Sequence, residues 1–335
     1  MRNTWPNSKR QSRCLGTAEG TQTKGSDVRQ RVLAEVSKVI VGKKDVLDLL
    51  LLSIVSGGHV LIEDYPGLAK TLMAKSLASA LGLQFKRVQF TPDLLPGDVT
   101  GSYMINQRTS TFELRKGPIF TNLLLADEIN RAPPKTQASL LEAMQERQVT
   151  IEGETLKMSD PFVVMATQNP IEYEGTYPLP EAQLDRFLAK LGVGYPDPSE
   201  EKEILRRRAE AMTDDVSVSA VATLEDLQIM RREIERIHLG EAVEDYIVAV
   251  VRSTRRHTDV DVGASPRGSL ALMKLSRGRA FLEGRSYVVP DDVKSVALPA
   301  LSHRLILKAE GWMKGQRPET VIEEILQSVP VPKVD

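Results

Sequence analysis

The chain has 335 residues, 41% of them hydrophobic, which is enough for one large domain or two ordinary ones around a sizeable core. Its 44 Lys+Arg stand against 45 Asp+Glu, so no global charge draws it to nucleic acid or to an anionic membrane. The single Cys14 excludes an internal disulfide, no Cys/His cluster has metal-ligand spacing, and the longest apolar stretch, Leu49 to Val55, falls far short of a membrane span.

Residues 1–25 are rich in Ser, Thr, Gly, Lys, Arg and Gln, with Trp5 and Leu15 almost alone as large apolar side chains, and read as a disordered tail. No apolar segment follows its basic residues to make an export signal, so the cytoplasm is the expected compartment. From a capping Ser26 or Asp27, the apolar positions Val28, Val32, Val36, Val39 and Ile40 recur at helical spacing, and Gly42 ends that helix. A second apolar helix, Asp45 to Ser56, stops at Gly57-Gly58. Four nearly continuous apolar runs follow: His59 to Glu63, Phe85 to Phe90, Leu123 to Asp127 and Phe162 to Thr167. Helical stretches such as Thr71 to Leu81 and Thr136 to Glu146 lie between them, the pattern of strands buried on both faces of a parallel sheet, and an α/β domain over residues 26–195 is predicted. Tyr103 to Leu114 and Val149 to Met158 break the rhythm and read as inserted β-hairpins. Beyond Pro196-Asp197-Pro198 the chain turns to helices rich in Arg, Glu, Leu and Ala, which predicts a second, helical domain over residues 196–335.

The chemistry concentrates at the ends of the predicted strands. "EDYPGLAKT" (Glu63 to Thr71) joins a strand to a helix and approximates G-x-x-x-x-G-K-[ST], with Asp64 and Ala69 where that pattern has glycine. In a phosphate loop the backbone N–H groups and the positive end of the following helix face the anion, Lys70 adds charge, and the Thr71 hydroxyl is an oxygen ligand for Mg2+. Gly67 supplies the left-handed residue of the tight turn, and Asp64 and Ala69 fit if their own dihedrals stay ordinary. Alone, the nonamer can also be read as an acidic turn with a solvated lysine. Leu123 to Glu128 decides between them: an apolar strand ending in two carboxylates is what accompanies a phosphate loop, Asp127 for the Mg2+ shell and Glu128 to orient and deprotonate the attacking water. Asn169, after the fourth strand, stands where an amide positions that water, although an Asn before Pro is also an ordinary turn residue. Arg186 is a candidate to reach a neighbouring subunit's nucleotide, and Arg267 to reach the γ-phosphate from the helical domain; taken singly, each reads more readily as a surface charge.

These pieces, in this order, resemble the AAA+ ATPases, and their wording resembles the MoxR family. "EDYPGLAKT", "LLADEINRAPPKTQASLLEAMQERQVT", "MATQNPIEYEGTYPLPEAQLDRF" and "SPRGSLAL" are similar to stretches of that family, from about residue 28 to the end. The resemblance implies an AAA+ P-loop domain with a helix-2 insert at residues 103–114, a hairpin before sensor 1 at 149–158, and an all-α lid. It makes Asp64, Tyr65, Pro66, Gly67, Leu68, Ala69, Lys70, Thr71 and Leu72 the Walker A loop that holds ATP, Asp127 and Glu128 Walker B, Asn169 sensor 1, Arg186 the arginine finger and Arg267 sensor 2. Ile40, Val41 and Gly42 would flank the adenine, with Lys43 replacing the family's usual Gln. The resemblance further implies ATP and Mg2+, a hexameric ring, chaperone-like remodelling of protein clients, and a partner with a von Willebrand factor A domain. A nucleotide-gated scaffold with little hydrolysis is the alternative. A DNA-directed motor is a third, weakened by the near-neutral charge, with Arg206-Arg207-Arg208 and Arg255-Arg256-His257 the only local basic runs.

Overall fold

Helix and strand alternate through the first half of the chain as its apolar runs require. In this computed structural model, which describes residues 18–170, 175–212 and 217–333, α1 (Ala18–Val36) and α2 (Lys44–Val55) lead into β1 (Val60–Glu63), α3 (Lys70–Ala80) and β2 (Phe85–Gln89). A short α4 (Pro96–Thr100) precedes a hairpin of β3 (Gly101–Asn106) and β4 (Thr111–Lys116), followed by β5 (Leu123–Asp127) and α5 (Pro134–Glu146). A second hairpin, β6 (Gln148–Ile151) and β7 (Glu154–Lys157), leads to β8 (Val163–Gln168), α6 (Glu181–Leu184) and β9 (Ala189–Leu191). The second half comprises α7 (Pro198–Ala211), α8 (Leu224–Ile234), α9 (Glu241–Thr254), β10 (Val260–Val262), α10 (Pro266–Leu282), α11 (Pro290–Leu301), β11 (Ile306–Leu307), α12 (Ala309–Met313) and α13 (Pro318–Ser328).

Five parallel strands form the main sheet in the order β2-β5-β8-β1-β9. The three inner strands are covered on both faces, as their apolar runs require, whereas β2, from the run Phe85 to Phe90 also expected to be buried on both faces, is an edge strand that exposes Lys86 and Arg87. Alternation still sorts the inner strands. Leu123 and Leu125 of β5 point into a core shared with α1–α3 and the second-half helices α8–α11, while Leu124 and Ala126 point into another core with α5. The helical domain therefore packs directly against one face of the sheet. A two-stranded antiparallel pair, β10 and β11, interrupts its helices.

Two features depart from the predicted elements. Helix α1 starts at Ala18, ahead of the expected start at Ser26 or Asp27, while residues 1–17 of the expected tail lie outside the described residues. Tertiary packing accounts for the earlier start. Gly25 sits so close to Phe281 of α10 that an added Cβ would come within 2.5 Å of the ring, so the helix already meets the helical domain ahead of Ser26. The helix also stops at Val36, short of Gly42. The second departure is β9, three residues on a sheet edge, too short to announce itself as an apolar run.

Candidate functional site

The sheet is parallel, so β1, β5 and β8 end together on one side, the usual position for a ligand in an open α/β sheet. The loop after β1 and the residues ending β5 and β8 line a cavity of about 470 Å³ that includes Pro66 to Leu72, Asp127, Glu128 and Asn169. Most of the predicted Walker and sensor 1 residues are thus gathered. Gly67 adopts φ 82°, as the turn demands, but Ala69 also sits in the left-handed region at φ 56°. The expectation of ordinary dihedrals at Ala69 is therefore corrected. A left-handed alanine costs about 1–2 kcal/mol relative to the right-handed region, and it is held here as the residue that opens α3.

Lys70 folds back over the loop, its ammonium donating to the carbonyls of Asp64 (2.7 Å) and Tyr65 (3.0 Å). Burial lowers its pKa from the ordinary lysine value, opposed by the nearby charges of Asp64, Asp127 and Glu128. The two carboxylates are also engaged. Asp127 Oδ1 accepts from the Thr167 hydroxyl at 2.6 Å, and Oδ2 accepts from the Arg87 guanidinium at 2.7 and 2.9 Å. Glu128 Oε2 accepts from Gln89 at 2.6 Å and Arg131 at 2.9 Å, while its own N–H donates to Thr167 Oγ1 at 2.8 Å. Glu128 has φ 56°, which turns the chain sharply after the strand. Asn169 is buried beside them.

Sequence reasoning missed Arg87, Gln89 and Thr167. The signal was present: Arg87 and Gln89 alternate on one face of β2, and β2 pairs in register with β5, setting Gln89 opposite Asp127. Thr167 is the last residue of a predicted strand, and its hydroxyl bridges both acidic residues. Thr71 and Asp127 offer hydroxyl and carboxylate oxygens in one cavity, a donor set that fits Mg2+.

Asp64 and Tyr65 do not line this cavity. The Asp64 carboxylate turns toward the residues after β9, accepting from the N–H groups of Val193 and Gly194, and the Tyr65 ring stacks on Tyr195 with centroids 5.7 Å apart. Of Ile40, Val41 and Gly42, none lines the cavity; Ile40 is buried in the core shared with the helical domain. Gly42 (φ 65°) faces Glu200 of α7, and Lys43 donates to the Tyr195 carbonyl at 2.7 Å.

Arg186 and Arg267 are brought together, but away from the loop. Both line a second cavity of about 320 Å³ with Gly57, Gly58, His59 and Leu188, which precede β1 and β9, so it lies at the opposite end of the sheet. The four residues of β1 alone hold the two ends about 13 Å apart. Arg186 donates to the Leu141 carbonyl at 2.7 Å, and Arg267 approaches Gln145 Oε1 at 3.5 Å. A sensor 2 arginine at this place does not reach its own chain's phosphate loop. Arg147, Lys274 and Arg304 line the same cavity.

Comparison with known proteins bears on the family and the fold. A family model described as "ATPase family associated with various cellular activities (AAA)" matches residues 59–189, and one described as "AAA lid domain" matches residues 252–325. The chain is 48% identical to the uncharacterized protein YeaC of Bacillus subtilis over 90% of this chain and 94% of that one. It is 44% identical to Chaperone MoxR1 of Mycobacterium tuberculosis, over 96% of this chain and 86% of the relative. A crystal structure of a protein from Cytophaga hutchinsonii, provisionally called an ATPase, is similar with a TM-score of 0.89 and 43% identity, covering 95% of this chain and 99% of that one.

Proposed function

Because the chain belongs to the MoxR family of AAA+ ATPases, we propose that it hydrolyses ATP at sites completed by a neighbouring copy and uses the turnover for chaperone-like remodelling of client proteins. The observation that carries this reading is the separation of the two sets of residues. Lys70, Asp127, Glu128 and Asn169 stand at one end of the sheet, and Arg186 and Arg267 at the other. Two copies placed head to tail would bring one copy's arginines to the next copy's phosphate loop, and a head-to-tail contact generates a ring where its rotation closes. The resemblance to the family makes that ring a hexamer.

In this reading the α3 amides and Lys70 bind the β and γ phosphates, once the lysine has exchanged its carbonyl partners for phosphate oxygens. Thr71 and Asp127 would hold Mg2+, which would supply positive charge against the phosphate oxygens. Glu128 accepts a proton from the attacking water, and Asn169 helps orient it. Arg186, with Arg267 beside it, meets the charge that develops on the transferring phosphoryl group. The relative called Chaperone MoxR1 supports a protein client. A von Willebrand factor A domain partner and a cytoplasmic location complete the proposal; among the described residues no helix is long and apolar enough to cross a membrane.

One observation favours the alternative of a nucleotide-gated scaffold: both catalytic carboxylates are already tied, Asp127 to Arg87 and Glu128 to Gln89 and Arg131. Phosphate release from ATP and Mg2+, measured across protein concentrations beside Glu128→Gln, separates the two. Specific activity that rises with concentration, with a silent control, is the expected result. ATP binding with release no faster than the control at every concentration favours the scaffold.

A further inference from the structure

Asp64 stands where a phosphate loop ordinarily has glycine, yet its side chain is spent on another part of the chain. The residue is 7% exposed. Its Oδ2 accepts the N–H groups of Val193 and Gly194 (2.6 Å to Gly194), and its Oδ1 accepts the N–H of Tyr65 at 2.8 Å. Gly194 has φ 69°, a conformation that lets two successive amides turn onto one oxygen. Residues 193–197 carry the chain from β9, in the sheet, to α7, the first helix of the lid, whose N-cap is Asp197. Tyr65 adds a second tie through its ring contact with Tyr195, and Lys43 a third through the Tyr195 carbonyl.

On its other side the same dipeptide holds the phosphate-binding lysine. Lys70 spends two of its three N–H donors on the carbonyls of Asp64 and Tyr65. It cannot keep both and also serve two phosphates, so occupation of the loop releases the 64–65 peptide on the lysine side while the Asp64 carboxylate stays bound to Val193 and Gly194. We propose that Asp64 is a positioning residue that transmits nucleotide occupancy of the phosphate loop to the 193–197 segment and so to lid helix α7. This rests on the nucleotide-binding reading and adds to it a route from the phosphates to the lid.

The test is amide hydrogen exchange on the full chain, with and without a non-hydrolysable ATP analogue and Mg2+, alongside the analogue's Kd. Wild type is expected to change exchange over residues 193–205 when the analogue binds. In Asp64→Ala, exchange at Val193 and Gly194 rises about 10-fold or more in the free protein, since the amides lose a charged acceptor. The analogue-dependent change over α7 disappears, while the Kd stays within about threefold of wild type, an affinity difference under about 0.7 kcal/mol. Asp64→Asn keeps a carbonyl oxygen for Val193 and Gly194 and restores most of the coupling, which also covers the case of an alanine variant that folds poorly. The proposal is overturned if the α7 response survives in Asp64→Ala, or if both variants lose affinity more than threefold, since Asp64 then merely shapes the loop. Wild type that binds no analogue sinks the nucleotide reading itself; wild type that binds it without any change over 193–205 sinks only the coupling.

Discussion

The two cavities at opposite ends of the sheet differ most in how their charges are balanced. The phosphate-loop cavity is lined by two cations, Lys70 and Arg87, and two carboxylates, Asp127 and Glu128. The arginine cavity is lined by five cations, Arg147, Arg186, Arg267, Lys274 and Arg304, against the single carboxylate of Asp185, which already pairs with Arg304 at 2.8 Å. The chain as a whole is near neutral, so the excess is local. A cavity neutralised from within can wait for its ligand as a closed network, whereas one with unbalanced positive charge is completed by an anion from outside. That is the asymmetry the proposed head-to-tail assembly needs, in which the neighbour's nucleotide would supply the missing negative charge.

The sharpest way to break this comparison is to disable the two cavities in different chains. Arg186→Ala is expected to lower ATP hydrolysis by about 10³ to 10⁵ while leaving ATP binding in place, the range known for arginine fingers. Glu128→Gln is expected to be silent as well. A mixture of the two should recover activity, because a chain with intact Glu128 can face a neighbour with intact Arg186. If the mixture stays as silent as its components, Arg186 serves its own chain or none, and the composite site is wrong.

A smaller effect sharpens the electrostatic half of the comparison. His59, in the arginine cavity, accepts the Val164 N–H at Nδ1 and pairs through Nε2 with the Met144 carbonyl, which fixes the proton on Nε2. Burial lowers its pKa to about 4; the Met144 contact opposes this, and the positive charges of Arg147, Arg231 and Lys274 add to it. The folded value lies below the ordinary 6.5, so the folded state favours the neutral ring. This contribution is complete above pH 6.5 and is lost as pH falls toward 4, a change of about 3 kcal/mol. Denaturant unfolding should therefore show the stability gap between wild type and His59→Gln shrinking by about that amount from pH 7 to pH 4. A gap that does not move with pH would mean that the imidazole escapes the burial and positive field assigned to it.

The phosphate-loop cavity was far more legible in sequence than the arginine cavity. Lys70, Thr71, Asp127 and Glu128 are each adjacent to a long apolar strand or a helix start, and a parallel sheet must bring such strand ends together. Arg186 and Arg267 were readable as residues but not as neighbours. Their meeting depends on how α10 packs against the end of the sheet, which periodicity does not encode, and β9, just after Arg186, is too short to show as a strand. Ala69 was misjudged because a left-handed alanine is paid for by the surrounding fold rather than by its own sequence. The start of α1 was misplaced for a related reason: Gly25 gains a contact with Phe281 more than two hundred positions away.

Arg87 gives the smallest effect and bears on the first cavity alone. Its guanidinium lies 2.7 Å from Oδ2 of the Asp127 carboxylate, which would help to hold Mg2+, with the arginine side chain 47% exposed and free to withdraw into solvent. A cation already on that carboxylate competes with the metal. Removing it leaves Asp127 with a stronger local field, worth about 1 kcal/mol for a partly exposed pair. Arg87→Gln is therefore expected to lower the Mg2+ concentration for half-maximal phosphate release by about fivefold. The opposite shift would assign Arg87 to the nucleotide rather than to the resting carboxylate. The internal balance of the cavity would then describe a catalytic contact already in place, and the difference between the two ends of the sheet would narrow to the number of cations each one carries.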